Sequence, residues 1–291
     1  TTSAAPAWCS TSATRSDRIC VADEQEYILG TDDVEIARLR VQHDAWSQSA
    51  RDLWSRAGIE RGHVAVDLGS GPGFTSFDLA EQVGPTGRVI ARDESARFLA
   101  FLEREARARG LENVTASAGA VEDMHLAEGS IDAAYARWLF CWLDAPGELL
   151  RDLASALRPG GVVVVQDYLD WGAFATVPRS AAFDAAVDAC MASWREGGIA
   201  IDVMESLPRL ARDAGFSVEV FEPVGRLGAV GSPEWRWVEG FFESYLPRLV
   251  TRGTIDNAAI EAWRHDWDAI AAEGTAWVRT PTVANLVLRR A

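Results

Sequence analysis

The chain has 291 residues, 43 of them acidic and 28 basic, and its formal net charge is −15. Every one of the 28 basic residues is arginine. This balance excludes the basic surface that a nucleic acid or an anionic membrane requires. No apolar run reaches the roughly 20 residues of a membrane-spanning helix, and the first residues lack the apolar core of a signal peptide. We therefore expect a cytoplasmic protein.

The amino-terminal part of the chain predicts a tail and then a helix. Residues 1–22 are rich in Ser, Thr and Ala without periodicity, which predicts a flexible tail. Residues 23–60 predict a helical cap. Within it, apolar residues recur at helical spacing from Thr31 onward until Gly58 ends the helix.

Strands and helices alternate after this cap. Helices are predicted over 74–83, 95–110 and 146–157, and strands over 63–68, 88–93, 113–119, 131–137 and 162–168. Such alternation predicts a doubly wound α/β fold around a parallel sheet. Two more strands, 216–222 and 282–290, complete a core made of residues 61–170, 215–222 and 282–291. The intervening segments 171–214 and 223–281 look helical, and we expect them to cover the substrate.

The sharpest motif is a glycine-rich loop after the first strand of the sheet. Residues 64–74 read VAVDLGSGPGF, with Asp67 at the strand end and Gly69, Gly71 and Gly73 alternating before a helix. Glycine lets a ligand approach the backbone closely, and ligands of such sheets bind at the carboxyl ends of the strands. Asp93 ends the second strand, where an acidic side chain would bind a ribose diol. The pattern predicts a nucleotide site.

The loop resembles motif I of the class I S-adenosylmethionine-dependent methyltransferases, D-x-G-x-G-x-G. RVIARDESARFL, the stretch from residue 113 to 143 and LRPGGVVVVQDY resemble later parts of the same family, in the same order. Within the family, the sequence most resembles the small-molecule branch, which includes methyltransferases of ubiquinone and menaquinone biosynthesis and of natural-product tailoring. The resemblance implies a Rossmann-like seven-stranded sheet, S-adenosylmethionine as cofactor and S-adenosylhomocysteine as product. The cofactor-binding residues that it implies are Asp67, Gly69, Ser70, Gly71, Gly73, Asp93, Glu94, Ser95, Ala120, Val121 and Glu122.

One position departs from the family pattern. Ala120 stands where the family often has an aspartate facing adenine, so backbone groups at Ala120 and Val121, or the side chain of Glu122, would have to hold the base. At the methionine end of the cofactor, Arg137 is a candidate for the carboxylate. Tyr27 and Gln42 are further candidates for cofactor contacts.

Few residues qualify as a catalytic base. Asp167 and Tyr168 end the fifth strand on the ligand side of the sheet, and we regard both as candidates. The family's metal-assisted members have an acid after strand 4 and an Asp-Asn pair after strand 5, whereas this chain has Arg137 and Gln166-Asp167 there. The four cysteines and four histidines show no metal-ligand spacing. We expect no metal.

Aromatic residues are concentrated where the substrate should lie. The chain has 12 tryptophans, and aromatic walls suit a flat, apolar acceptor. We expect methyl transfer by an SN2 displacement to N, C or O of an indole-like or polyketide-like metabolite. We also expect that one of Trp235 and Trp237 faces the acceptor and the other the core. The predicted substrate-binding residues are Trp138, Tyr168, Trp171, Phe174, Trp235, Trp237 and Phe241.

Other functions stay open at this point. The same fold could serve a catalyst that does not transfer methyl or a ligand-binding regulator. An NAD-dependent oxidoreductase is disfavoured, because the loop lacks GxxG spacing and the chain lacks the Tyr-x-x-x-Lys pair of the short-chain type. The sequence also leaves the oligomeric state open, and a homodimer is one alternative.

Overall fold

The computed structural model of the chain describes residues 31–291. None of the helices in this part of the chain combines the length and the apolarity needed to cross a membrane. The helices are α1 Asp33–Ala57, α2 Phe74–Val83, α3 Ala96–Arg109, α4 Pro146–Ala156, α5 Ala181–Glu196, α6 Leu207–Asp213, α7 Pro233–Thr251 and α8 Asn257–Ala272. The strands are β1 Val64–Leu68, β2 Arg88–Asp93, β3 Val114–Ala118, β4 Ile131–Arg137, β5 Leu157–Asp170, β6 Ala175–Val177, β7 Phe216–Val224, β8 Leu227–Ala229, β9 Trp277–Arg279 and β10 Thr282–Arg290.

Seven of these strands form one sheet in the order β3-β2-β1-β4-β5-β10-β7. The five strands from β3 to β5 run parallel, and β10 lies antiparallel between β5 and β7. The valines 162–165 of β5 are all buried, as expected for a strand covered by helices on both faces. The predicted doubly wound α/β sheet with a helical amino-terminal part is confirmed.

The long helix α1 packs against the sheet and also contacts α7, which belongs to the segments 171–214 and 223–281, together called the lid. Asp32 caps its amino terminus by accepting a hydrogen bond from the N–H of Glu35 at 2.8 Å, and Gly58 ends it in a left-handed conformation. Trp46 and Trp54 are fully buried along it. Trp54 packs edge-on against Tyr135 of β4 at 5.1 Å between ring centroids. The helix therefore joins the carboxyl ends of the strands to the segments that follow the sheet.

The two segments predicted to be helical contain more than helices. Besides α5 to α8 they contribute β6, β8 and β9, which form a separate antiparallel sheet in the order β6-β9-β8. Each of these strands is only three residues long, too short to show the alternation that marks a strand in sequence. The helical interpretation of residues 171–214 and 223–281 is corrected accordingly. The proposed tail, residues 1–22, lies outside the described residues.

Trp235 and Trp237, both in α7, are buried to the same degree, each with 3% of its surface exposed. Trp235 packs on Trp267 of α8 at 4.1 Å between ring centroids. Trp237 packs against Trp46 at 5.5 Å and donates from Nε1 to the Gln42 side-chain oxygen at 2.9 Å. Both rings therefore join α7 to neighbouring helices.

We predict that Trp235→Ala lowers the free energy of unfolding by about 3–5 kcal/mol, because it leaves a cavity between α7 and α8. Leu227, 60% exposed on the small sheet, is the control, and Leu227→Ala should change stability by less than about 0.5 kcal/mol. Urea unfolding of the two variants measures both values. Equal effects would contradict this packing.

Candidate functional site

The glycine loop is held by the carboxylate that ends β2. The N–H of Gly71 donates to Oδ2 of Asp93 at 2.7 Å, and the N–H of Ser95 donates to Oδ1 at 2.8 Å. The N–H of Ser70 donates to the Arg92 carbonyl at 2.9 Å. Asp93 thus fixes the loop between β1 and α2 against the end of β2, with burial raising the pKa of this carboxyl.

The glycines of the loop have different reasons to be glycine. Gly71 has φ +54°, and a Cβ there would meet only the Leu39 side chain, at 4.0 Å. The backbone at Gly71 is therefore open to a ligand. Gly73 has φ +85°, and a Cβ would lie 2.5 Å from the Leu102 side chain, so this glycine is required by the close packing of α3.

Two polar atoms beside the loop are buried without a hydrogen-bond partner among the described residues. They are Oγ of Ser70, in the loop, and Nη1 of Arg137, at the carboxyl end of β4. Buried polar groups are otherwise almost always paired, so both atoms are candidates for contact with a ligand. The other terminal nitrogen of Arg137 donates to Oγ1 of Thr75 at 2.9 Å, which places the guanidinium at the start of α2.

Asp67, at the end of β1, is fully buried and accepts a hydrogen bond from the Ser76 hydroxyl at 2.6 Å. Burial raises the pKa of this carboxyl to about 7. A cation placed beside Asp67 would favour the ionised form and reverse this shift. The sequence analysis located Asp67 but gave no sign of its burial.

Arg92 organises the loop after β3, where the family's usual aspartate is replaced by Ala120. Its Nε and Nη2 donate to the Ala120 carbonyl at 3.0 and 2.9 Å, and its Nη1 donates to Oγ of Ser117 at 3.0 Å. Val121 follows as the start of a short 3-10 turn and is buried. The guanidinium of Arg92 thus shapes this loop. The sequence analysis missed this role, although Arg92 directly precedes Asp93.

His43 of α1 lies beside the guanidinium of Arg137. The residue is buried, with Nε2 at 3.2 Å from a carboxylate oxygen of Asp78 and Nδ1 at 3.3 Å from Nη2 of Arg137. Desolvation lowers the pKa of His43. A neutral imidazole with Nε2–H toward Asp78 leaves Nδ1 to accept from Arg137, so His43 and Thr75 position the same guanidinium.

An aromatic cavity of about 40 Å³ lies among α1, α5, α7 and the ends of β4 and β5. This volume is far below the roughly 300–1,000 Å³ of small-molecule sites, so a ring-sized ligand enters only when the walls move apart. A wider, open depression of about 480 Å³ involves Ser55, Ile59 and Gln82, at the amino-terminal ends of the strands and away from the glycine loop. The aromatic cavity is lined by Arg38, Gln42, Trp138, Trp142, Tyr168, Trp171, Trp194, Ile201, Phe241 and Tyr245.

The cavity contains four of the seven predicted substrate-binding residues: Trp138, Tyr168, Trp171 and Phe241. Phe174, Trp235 and Trp237 are absent from its lining. Neither of the two α7 tryptophans belongs to this lining, and the expectation that one of them faces the acceptor stays a prediction. In the structure they join α7 to α8 and α1. The lining residues outside the predicted substrate-binding set come from helices and loops whose orientation only the tertiary fold defines. Besides Gln42 they are Arg38, Trp142, Trp194, Ile201 and Tyr245.

The other predicted cofactor residues include Gln42, Ser95 and Tyr27. Gln42 lines the aromatic cavity. Ser95 caps α3, its hydroxyl accepting from the N–H of Phe98 at 3.2 Å. Tyr27 lies outside the described residues. Within residues 31–291, no three His, Cys, Asp or Glu side chains come close enough to hold a metal ion.

Comparison with known proteins agrees with this geometry. Residues 65–161 match a family model described as a methyltransferase domain. Residues 65–161, a third of the chain, therefore carry a methyltransferase domain.

Two curated relatives and one solved structure illustrate the similarity. Trans-aconitate 2-methyltransferase of Deinococcus radiodurans is 36% identical over 123 residues, 42% of this chain and 45% of the relative. Demethylmenaquinone methyltransferase of Geobacillus stearothermophilus is 30% identical over 116 residues, 39% of this chain and 49% of the relative. The chain thus spans about half the length of the curated relatives it matches. A geranyl diphosphate methyltransferase solved in complex with SAM shares the fold, with a TM-score of 0.54, 15% identity and coverage of 87% of this chain and 90% of that one.

Asp167 and Tyr168, the two residues predicted as catalytic candidates, have different surroundings. Asp167 is fully buried, and its carboxylate accepts from the N–H groups of Tyr168 at 2.9 Å and Cys141 at 3.3 Å. It is absent from the cavity lining and ties the end of β5 to the turn after β4. Burial raises the pKa of Asp167 to about 6. Tyr168 is the candidate that lines the cavity.

We predict that Asp167 makes the protein less stable as pH rises. Its pKa is above the ordinary 3.8, so its contribution is complete below about pH 4 and is lost as pH rises through about 6. Relative to Asp167→Asn, the wild-type free energy of unfolding should fall by roughly 2 kcal/mol between pH 4 and 7. Urea unfolding of both proteins at the two pH values measures this difference. Parallel pH profiles would contradict it.

Proposed function

We propose that this chain binds S-adenosylmethionine at the glycine loop and transfers its methyl group to a small, flat, largely apolar acceptor in the aromatic cavity. The observation that carries the proposal is the open backbone at Gly71, held by Asp93 where β1 and β2 end. The match of residues 65–161 to a methyltransferase domain supports the same assignment.

The residues around the loop fit the three parts of this cofactor. In this proposal Asp93 binds the ribose hydroxyls while it holds the loop, and the backbone at Ala120 and Val121, shaped by Arg92, binds adenine. The unpartnered nitrogen of Arg137 is suited to the carboxylate of the methionine part. Asp67, whose carboxyl is partly protonated near neutral pH, would ionise beside an ammonium group.

The main contribution of the aromatic cavity is to position the acceptor, and acid–base chemistry is secondary. S-adenosylmethionine, when bound, supplies a methyl group already activated by its sulfonium. Holding a nucleophile in line with that methyl contributes on the order of 7–11 kcal/mol to catalysis. The walls exclude water, and Tyr168 is the cavity residue suited to accept or relay a proton from an N–H or O–H acceptor. An indole-like or polyketide-like ring suits such walls, and attack can come from N, C or O.

We predict that Gly71→Ala weakens S-adenosylmethionine binding at least tenfold, because a Cβ occupies the ligand's approach. Gly110 is the matched control, since it has φ +68° and no atom within 4 Å of an added Cβ. Gly110→Ala therefore carries a similar backbone strain and should leave the affinity unchanged. Titration calorimetry of the two variants decides the point. Equal affinities would remove the loop from the cofactor site.

We further predict that S-adenosylhomocysteine accumulates only when an acceptor is present, and that EDTA does not slow its formation. Chromatographic quantification of S-adenosylhomocysteine against a panel of aromatic metabolites measures this. Tight binding of S-adenosylmethionine without turnover on any acceptor would favour a non-methylating catalyst or a regulator of the same fold. Loss of turnover with EDTA, restored by a divalent ion, would overturn the metal-free proposal.

A further inference from the structure

The aromatic cavity carries a single ionic side chain among its lining residues, that of Arg38. Glu35 holds this guanidinium through Nε and Nη2, each at 2.7 Å. Both residues are buried, with 8% and 2% of their surfaces exposed. Because Glu35 occupies the Nε–Nη2 edge, the remaining Nη1 side is directed toward Gln42, to whose oxygen it donates at 3.0 Å.

The amide of Gln42 is oriented by two groups that can only donate. Its oxygen accepts from Nη1 of Arg38 and from Nε1 of Trp237, at 3.0 and 2.9 Å. Neither a guanidinium nor an indole N–H can accept a hydrogen bond. The amide nitrogen must therefore point away from both, and it makes no hydrogen bond to another described residue. Gln42 thus presents N–H donors at the cavity that it lines.

Trp138 adds a third donor in an unusual backbone conformation. It is the only non-glycine residue of the described chain with positive φ, at +51°, a conformation that costs about 1–3 kcal/mol. Its ring stacks on Tyr168 and Trp237 at 6.2 and 5.6 Å. Its Nε1 is buried without a partner among the described residues, which costs about 1–3 kcal/mol more. A ligand that accepts from this N–H would remove the second of these costs.

We propose that the acceptor is a flat ring bearing an oxygen that accepts hydrogen bonds, either ionised or carbonyl, and that Gln42 and Trp138 bind this oxygen with the help of Arg38. This inference rests on the proposed function and names its substrate class. No carboxylate lines the cavity, so an ammonium-bearing ring would meet the Arg38 guanidinium without a carboxylate to pair with. The lining therefore selects oxygen-bearing rings over amines.

Three probes with the same phenyl ring test the chemistry: benzoate, methyl benzoate and benzylammonium. Each is titrated by calorimetry into the full chain with and without S-adenosylhomocysteine. We expect both oxygen probes to bind at least tenfold tighter than benzylammonium. A preference for benzoate assigns an ionised oxygen, and equal affinity of benzoate and methyl benzoate assigns a carbonyl. Benzylammonium binding as tightly as the oxygen probes, or no binding of any probe at millimolar concentration, overturns the proposal.

The decisive variant is Gln42→Glu, which keeps an oxygen for Arg38 and Trp237 but removes the N–H donors. It should weaken methyl benzoate at least fivefold, and because this probe is neutral, the loss reports the donor and not charge repulsion. Gln48→Glu adds the same charge on an exposed turn of α1, where the Gln48 side chain donates to Asp52. This control should leave the affinity for all three probes unchanged. Unchanged methyl benzoate affinity in Gln42→Glu contradicts the proposal.

Trp138→Phe keeps a ring in place and removes the N–H, and it should weaken both oxygen probes without changing benzylammonium. Circular dichroism confirms that each variant is folded. S-adenosylmethionine is titrated into each protein separately. If the wild type binds benzoate as expected but does not bind S-adenosylmethionine, the proposed function fails and the cavity assignment stands.

Discussion

The indole of Trp46 in α1 packs against both the end of β4 and α7, and so joins the three elements around the proposed site. Its ring is fully buried in α1 and meets Trp138 at the end of β4 and Trp237 in α7, both edge-on at about 5.5 Å between centroids. Arg226 lies over its other side at 4.6 Å and donates to the Ala45 carbonyl. Edge-to-face pairs of this kind stabilise beyond the area they bury. Cap, sheet and lid therefore share one aromatic junction.

The polar groups at the carboxyl edge of the sheet follow a consistent logic. Asp93 orders the glycine loop, and Asp167 orders the turn after β4. Arg92 orders the loop after β3. Each uses backbone N–H or carbonyl groups as partners, so each fixes a loop instead of a single side chain. This arrangement ties down the loops that follow β1, β3 and β4.

The sheet could be predicted from sequence because its signals are local. The valine run of β5 and the glycine loop each occupy a few consecutive residues, and a strand or a loop motif needs no more. The small sheet could not be predicted for two reasons. Its strands are only three residues long, and paired residues such as Val177 and Trp277 lie a hundred positions apart in the sequence.

The proposed acceptor site was predicted less well for a related reason. The aromatic residues of the lid were identified, but which of them face the cavity depends on how α7 turns against α1 and α8. Trp235 and Trp237 are two residues apart and both are buried in helix contacts, because α7 is packed on two sides. The burial of His43 and the exposure of Arg38 to the cavity depend on the same packing, which helical periodicity alone does not define.

The position of β10 has a consequence for how the chain folds. This strand fills the gap between β5 and β7, far from β5 in sequence and separated from β7 by the lid helices. Closing such long loops is entropically slow. Until β10 arrives, the edges of β5 and β7 lack a partner, and unpaired edges of apolar strands attract other chains. Refolding yield should therefore depend on protein concentration, with the lid helices acting as a spacer that delays the last strand.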